Sequence, residues 1–448
     1  MMRFPLVVLS AGLVALTGLT ARGASAPPSR ALPNVIFILA DDLGTDWVGC
    51  YGSDHATPNL DRLAASGVRF ETAWTSPICT PSRVMMLTGQ YPGHTGWTEH
   101  YDVPRWGGAG LIPEKFSTWP QLLHAHGYAT AIAGKWQIND LRLRSDILQA
   151  HGFDHHCVWP GVEEGNPPTE RRYWDAYLQT DGRRKIHKNE YGPDVTQRFA
   201  LDFIRENRAR PFMLYYPMIA VHAPNEATPM NRTHAPSGEA ALYAGSVTYL
   251  DRQVGELLDE LEHLGMASTT AVIFAGDNGS STGGTHAHLS VPAGKGRIVE
   301  RGVQVPLIVR LPGVAGGSVT SALADFSDLY PTILDLAGIA HATGDGHSWV
   351  PLLRGTPGYA SREWIYAQRD TSRTVRDQRF KLDSTGGFFE ITVDPDEKRP
   401  VAPARDAVTA AEYRKLSTAL AAIPGNAPTP PFPGYTPERM RQYSAAAH

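Results

Sequence analysis

Cysteine is scarce in this chain: Cys50, Cys79 and Cys157 are the three among 448 residues. An odd count excludes a framework in which every thiol is paired, and leaves at least one thiol free or chemically modified. For Cys50 and Cys157 two readings stay open, a disulfide between them or two buried, unpaired thiols. A surplus of charge of either sign is also lacking. With 41 Lys and Arg against 45 Asp and Glu the formal net charge is -4, and no long charge run occurs. There is no basic footprint for nucleic acid, and no nucleic-acid partner is expected. A local cationic pocket for an anionic substrate is still allowed, because net charge does not describe clefts. No internal repeat is present, and beyond the N-terminus no segment is apolar enough to make a stable membrane span. What remains is ordinary globular material, 42% hydrophobic and 19% charged. The chain is long enough to bury a sizeable core and to carry more than one domain.

Arg3 is the only charge ahead of an apolar run over residues 5–19, and Ala24-Ser25-Ala26 follows with the small-residue form of a cleavage site. Residues 1–26 read as a secretory signal peptide, with an uncleaved N-terminal anchor as the alternative. The protein is therefore expected to be exported, periplasmic or secreted. From about residue 33 to 353, strand-like and helix-like segments alternate, the pattern of an α/β domain. Asn34-Val-Ile-Phe-Ile-Leu-Ala40 is a continuous apolar run, as in a buried central strand, and 129–133, 212–216, 271–275 and 306–311 read the same way. Between them, Thr57-Pro58 supplies an N-cap and a first helical residue, with Gly67 as the stop. Further helices are expected over 118–127, 325–338 and, longest, 239–264. The last carries an apolar stripe of Val247, Leu250, Val254, Leu257, Leu258 and Leu261. After Gly358 short strand candidates (363–368, 373–377, 380–383) precede a helix over 410–422. The expected organisation is a main domain over 31–355, a small α+β unit over 356–425 and an irregular, Pro-rich tail over 426–448.

In open α/β sheets ligands bind beyond the carboxyl ends of the strands. Four of the predicted strand ends carry chemistry: Asp41-Asp42, Gly134-Lys135, His222 a few residues on, and Asp277-Asn278. A polar pair after a strand is more often a turn or a helix cap, but the coincidence of four favours one shared site. Asp41, Asp42, Asp277 and Asn278 form an oxygen-only set suited to Ca2+ or Mg2+ rather than Zn2+, and without a cation the three carboxylates would repel one another. In Cys79-Thr80-Pro81-Ser82-Arg83, Thr80 reads as an N-cap, Pro81 as the first helical residue and Gly89 as the stop. Cys79 then stands just before a helix N-terminus, where free N–H groups and the helix dipole favour an anion, and Arg83 adds a fixed charge in the first turn. The site reads as a nucleophile beside an anion cradle, or else as a structural cysteine before a helix. The segment 139–194 is rich in residues such as His155, His156, Arg171, Arg172, Tyr173 and Trp174. These suit sugar or aryl groups and equally an irregular, partly buried loop. Two N-glycosylation patterns occur, at Asn231 and Asn278, and the second coincides with a proposed metal ligand.

These segments resemble the type I sulfatases of the alkaline-phosphatase-like superfamily. One signature is Cys79-Thr80-Pro81-Ser82-Arg83 followed after four residues by Thr88-Gly89. The other is Gly127-Tyr128-x-Thr130-x-x-x-Gly134-Lys135-Trp136. Cys50-Tyr51-Gly52, Thr57-Pro58-Asn59-Leu60-Asp61, Asp277-Asn278-Gly279 and Gly294-Lys295-Gly296 are similar as well, in the expected order. The resemblance implies a large mixed sheet sandwiched by helices, with a smaller C-terminal α+β unit, and makes 31–355 the catalytic domain. It implies a sulfuric ester hydrolase acting on a sulfated carbohydrate or aryl sulfate. In the family a maturation enzyme, a transient partner, oxidises the motif cysteine, here Cys79, to formylglycine. The aldehyde hydrates to a gem-diol, one hydroxyl attacks sulfur to give a covalent sulfo-enzyme intermediate, and the other then loses its proton to eject sulfate. Position by position, Asp41, Asp42, Asp277 and Asn278 match calcium ligands and Arg83 the residue that holds the formylglycine. Lys135 and Lys295 match sulfate-binding lysines, and His222 the histidine near the leaving group. Gln137 departs from the pattern, since a histidine usually follows Gly-Lys-Trp. A glutamine hydrogen-bonds but does not shuttle a proton at neutral pH. The proton acceptor for sulfate release is thereby left open, with His94, His286 and His288 in segments near the motifs. A phosphonate monoester or phosphodiester hydrolase on the same scaffold, and a catalytically impaired sulfated-glycan binding protein, are the alternative readings.

Overall fold

Asn34–Ala40 (β1) is buried along its whole length because both of its faces are covered. Successive strand side chains point to opposite faces. Val35, Phe37 and Leu39 enter one core layer, and Ile36, Ile38 and Ala40 the other, so the run has to be apolar throughout. The computed structural model describes Met1 and residues 32–425 apart from positions 109 and 343. The expected signal peptide and the tail after residue 425 lie outside the described residues.

β1 sits inside a ten-stranded sheet. Its other strands are Val68–Phe70 (β2), Ala129–Lys135 (β3), His155–Trp159 (β4), Tyr177–Thr180 (β5), Arg183–Ile186 (β6), Phe212–Pro217 (β7), Thr270–Gly276 (β8), Leu307–Arg310 (β9) and Ser318–Thr320 (β10). The spatial order is β10-β2-β9-β8-β1-β7-β3-β4-β5-β6. The central strands β8, β1, β7, β3 and β4 are parallel, while β9 and β5 flank them antiparallel. The sheet is therefore mixed, as expected.

The principal helices are Pro58–Ser66 (α1), Cys79–Thr88 (α2), Trp119–Ala125 (α3), Gly192–Glu206 (α4), Glu239–His263 (α5), Leu329–Leu336 (α6) and Ala407–Ala422 (α7). On one face, α1, α4 and α5 bring Leu60, Phe203 and Leu257 against Ile36 and Ile38. On the other, α2, α3 and α6 bring Met86, Leu123 and Ile333 against Phe37 and Leu39. The stripe foreseen on α5 is fully buried. Its spacing of three and four keeps it on one face, and each such side chain contributes about 1.5–3 kcal/mol by leaving water.

Ile365–Arg369 (β11), Ser372–Arg376 (β12), Phe380–Asp383 (β13) and Phe388–Glu390 (β14) form a separate antiparallel meander. Leu416 and Leu420 of α7 and Phe380 and Phe388 of the meander join the core layer that holds α2 and α6. Cys50 and Cys157 are both free thiols, so the disulfide reading falls. Among the described residues no helix is long and apolar enough to cross a membrane.

Candidate active site

The parallel register sets the site. Ala40 of β1 pairs with Gly276 of β8, so Asp41 and Asp277 leave the sheet side by side. The backbone N–H of Asp277 donates to the Ala40 carbonyl at 2.9 Å, and that of Asp42 to Asp277 Oδ1 at 3.0 Å. Asp42 has φ +63, a left-handed conformation uncommon outside glycine, at the point where β1 ends. β3 ends at the same edge and delivers Lys135, whose Nζ donates to Asp41 Oδ2 at 2.7 Å. Gly134 makes this close approach feasible. Its φ is +125, and a Cβ there would stand 1.8 Å from the Pro217 carbonyl oxygen of β7.

α2 begins at Cys79 itself, with Ile78 as the residue before it. This corrects the expected start, in which Thr80 caps and Cys79 lies outside. Thr80 is inside the first turn and its Oγ1 meets His100 Nδ1 at 2.8 Å. Thr57 likewise precedes α1 without capping it; its hydroxyl accepts from the Gly49 N–H at 2.8 Å instead. Cys79 Sγ lies 3.4 Å from Asp41 Oδ1, 3.8 Å from Asp42 Oδ1 and 3.5 Å from Lys135 Nζ. Arg83, one turn along α2 and fully buried, donates to Asp277 Oδ2 at 2.8 Å and to the Lys135 carbonyl at 3.3 Å. Lys295 Nζ donates to Asp42 Oδ2 at 2.6 Å. A ring nitrogen of His222, one carboxylate oxygen each of Asp41 and Asp42, and Cys79 Sγ all lie within 4.8 Å of one another.

Burial pulls on every charge here. It works to raise Asp41, but Lys135, His222, Arg83 and Lys295 outweigh it and hold this carboxyl well below the usual range. Asp277 goes the other way: burial and the Asp41 carboxylate push it up to about 7 against Arg83 and Lys135. Burial and Asp277 also push the Cys79 thiol well above its ordinary value. For His222, burial and the lysines Lys295 and Lys135 hold the ring well below the usual imidazole range. Its Nδ1 lies 2.6 Å from the Ala223 carbonyl oxygen. A carbonyl only accepts, so this shorter contact favours the hydrogen on Nδ1, although Arg172 Nη2, which only donates, stands 3.3 Å from the same nitrogen.

The residues fit a hard divalent cation. Asp41, Asp42, Asp277 and Asn278 are all buried oxygen donors. Asn278 Nδ2 donates to Asp42 Oδ1 at 2.9 Å, whereas its Oδ1 is buried and has no hydrogen-bond partner. An acceptor oxygen without a donor, beside crowded carboxylates, is what a cation satisfies. At Asn278 this burial makes the glycosylation pattern coincidental.

The sequence model of the family described as Sulfatase matches residues 33–339. The chain belongs to the sulfatase family. Its members are hydrolases acting on sulfate esters, with the alkaline-phosphatase-like fold seen here. Mouse (Mus musculus) steryl-sulfatase is 30% identical, over 81% of this chain and 71% of that protein. The dog (Canis lupus familiaris) N-acetylgalactosamine-6-sulfatase is 32% identical, over 84% of this chain and 74% of that protein. The crystal structure of Ps i-CgsB superposes with a TM-score of 0.77 at 27% identity, over 92% of this chain and 97% of that one. The same protein has been solved in complex with k-i-k-neocarrahexaose (TM-score 0.76, 26% identity, over 92% of this chain and 97% of that one).

The sequence placed Arg172 and Tyr173 in a segment suited to a substrate or to an irregular loop, but it did not single out Tyr243 or His100 at this sulfatase site. Tyr243 of α5 donates to the Asp42 carbonyl at 2.6 Å, and Tyr173 to the His222 carbonyl at 2.8 Å. Arg172 contacts both the ring of His222 and the Ala223 carbonyl. The histidine that meets Gln137 is His100, with Nε2 at 3.3 Å from Gln137 Nε2. The three histidines singled out by their place near the motifs are engaged elsewhere or exposed. His94 pairs with Asp345, His288 with Asp54, and His286 lies on an exposed hairpin strand. The one available signal was Gln137 itself, since a lost histidine invites a replacement from another segment.

Proposed function

We propose that this sulfatase hydrolyses the sulfate monoester of a carbohydrate, with residue 79 in its formylglycine form and Ca2+ held by Asp41, Asp42, Asp277 and Asn278. The observation that carries the reading is Cys79 at the start of α2, with Lys135 Nζ 3.5 Å from its sulfur. A thiol pushed up by burial and by Asp277 is a poor thiolate nucleophile, which favours chemistry through the modified residue rather than through sulfur. Formylglycine supplies, once hydrated, one hydroxyl to take the sulfo group and a second whose loss of a proton releases sulfate, and Ca2+ would supply positive charge beside it.

The chain's own residues do the rest. Lys135 and Lys295 can share their N–H groups between Asp41 or Asp42 and sulfate oxygens, offsetting charge in the transition state. Arg83 ties the first turn of α2 to Asp277 and to the end of β3, which keeps residue 79 in place. His222 becomes an acid only after taking a proton. A bound sulfate ester brings the negative charge that favours this, so proton uptake accompanies substrate, and Nε2 can then protonate the leaving oxygen. The carbohydrate reading draws on the hexaose bound by the Ps i-CgsB relative and on the name of the N-acetylgalactosamine-6-sulfatase.

The test is mass spectrometry of the Cys79 peptide after co-expression with a maturation enzyme, together with turnover of a panel of sulfated sugars, aryl sulfates and a steryl sulfate. Formylglycine and faster hydrolysis of a sulfated sugar are expected. A thiol only at position 79 in active protein refutes the mechanism, and preference for the steryl ester refutes the substrate class.

A further inference from the structure

His100 occupies a place that no sequence motif assigned to it. It is 2% exposed, with Nδ1 2.8 Å from Thr80 Oγ1 and Nε2 3.3 Å from Gln137 Nε2. The ring thus bridges the residue after Cys79 and the residue two beyond Lys135. Gln137 is 6% exposed, and its Oε1 is buried with no hydrogen-bond partner. A buried carbonyl oxygen without a donor is rare, and marks either a cost or a ligand to come. Gln137 also has φ +70, a left-handed backbone seldom adopted by a residue with a side chain. The backbone is therefore held out of its usual range at the residue that carries this carboxamide.

The chemistry of the contact sets the orientation. A carboxamide nitrogen only donates, so the His100 Nε2 opposite it must present a lone pair. The hydrogen of the neutral ring then sits on Nδ1 and is donated to Thr80 Oγ1. Burial, Lys135, Lys295 and Arg105 all oppose a positive charge on the ring and Asp41 offsets them only in part, so the ring is held neutral. Glu99, the adjacent acid, accepts from the His100 backbone N–H at 2.8 Å. With Nε2 of Gln137 engaged in this way, its Oε1 is the end left for a ligand, and an amide oxygen takes a hydroxyl, not an anion.

We propose that His100 is a positioning residue of this sulfatase: it fixes the Gln137 carboxamide so that Oε1 accepts a hydrogen bond from a hydroxyl of hydrated residue 79. The inference rests on the formylglycine reading above. Glutamine cannot take the proton that a histidine would, but held rigidly it can orient the hydroxyl that loses one. His100 acts through Gln137 and touches no reacting atom.

Two measurements test it. The first needs no turnover: nitrogen NMR of the unmodified protein with labelled histidine, the His100 signal being identified by its loss in His100→Asn. A neutral ring protonated on Nδ1 is expected, with its nitrogen shifts altered in Gln137→Ala. A ring protonated on Nε2 would mean that the amide is turned round, and overturns the proposal. The second is kinetics of formylglycine-loaded enzyme on an aryl sulfate. His100→Asn keeps a polar partner for Thr80 but is too short to hold Gln137. Its kcat should fall about tenfold with KM unchanged, as expected for one lost positioning contact. Gln137→Ala should match it, the double variant should lose no more, and His100→Gln, which still reaches the amide, should recover most of the loss. Losses that multiply in the double variant, or a kcat of His100→Asn within twofold of wild type, overturn the proposal. Should His100→Asn fail to fold, the His100 signal is identified by its loss in His100→Gln instead, and the NMR of wild type and Gln137→Ala still decides. A wild type without formylglycine or turnover sinks the earlier reading and with it the role given to Oε1, whereas a ring protonated on Nε2 in the unmodified protein sinks the His100–Gln137 contact alone.

Discussion

Asp41 and Asp277 lie side by side, yet their surroundings drive them apart: Lys135 and its neighbouring cations hold Asp41 charged, while burial beside Asp41 pushes Asp277 up to about 7. A divalent cation would suit both by compensating the shared negative charge. Asp41→Asn or Asp277→Asn should therefore weaken calcium binding by at least about tenfold and lower activity in step. Titration calorimetry and turnover on the same preparations check this, and full activity in chelator with no response to added calcium would remove the assignment. His222 and Gln137 should differ in weight. His222→Ala removes a proton donor and should cost on the order of a hundredfold or more in kcat, whereas Gln137→Ala removes a positioning contact and should cost about tenfold. Rapid-quench kinetics of both variants compare them directly; equal losses would contradict the assignment of roles. At this scale the sequence was informative wherever a functional group follows a strand, because parallel register then forces neighbours together, as with Asp41 and Asp277. It was silent on His100, which lies in an irregular stretch whose position depends on packing and not on periodicity.

Among the elements, β1 and α5 were legible because burial on both faces or along one stripe leaves a simple pattern in the chain. The end of β3 was not. Its apolar run stops at Ala133, but the strand continues through Gly134 and Lys135, paired with Val158 and Trp159 of β4. Neither residue favours strands by itself, and the neighbouring strand overrides that preference. The glycine is needed for a different reason, its φ of +125 and the Pro217 carbonyl in the way of any Cβ. Gly134→Ala should therefore destabilise the fold by on the order of 3 kcal/mol. It should also lower kcat, because the strand end it displaces carries Lys135. Urea unfolding and turnover measured together check this, and an unaltered unfolding midpoint would mean that β7 yields without cost.

The C-terminal meander and α7 were recognisable as an α+β unit from short strands and turns, but nothing in the sequence indicated how they dock. The contacts that do so join residues far apart in the chain. Arg369 of β11 donates to the Gly296 carbonyl at 2.6 Å, next to Lys295, and pairs with Glu99, next to His100, at 3.0 Å. Arg362, just ahead of β11, is buried against Asp328, with Nε at 2.7 Å from Asp328 Oδ1, and donates to Tyr91 Oη at 3.0 Å. Tyr91 in turn donates to Asp325 Oδ2 at 2.8 Å. Two carboxyls thus share one guanidinium in the interior. Burial and Asp328 push Asp325 up to about 7 from an ordinary 3.8, against Arg362. The folded value is raised, so between these two limits the native protein binds more protons than the unfolded chain. The contribution is then fully present below the lower limit and is lost as pH rises through the upper one. Unfolding free energy should consequently fall from about pH 4 to about pH 7 by the share due to this carboxyl. Asp325→Asn, which keeps the shape and cannot ionise, should flatten that part of the slope. The measurement is urea unfolding of both proteins across this range in calcium-saturated buffer. The raised Asp277 is common to the two and cancels in the comparison, so parallel pH profiles would show that Asp325 ionises as readily in the interior as in the unfolded chain.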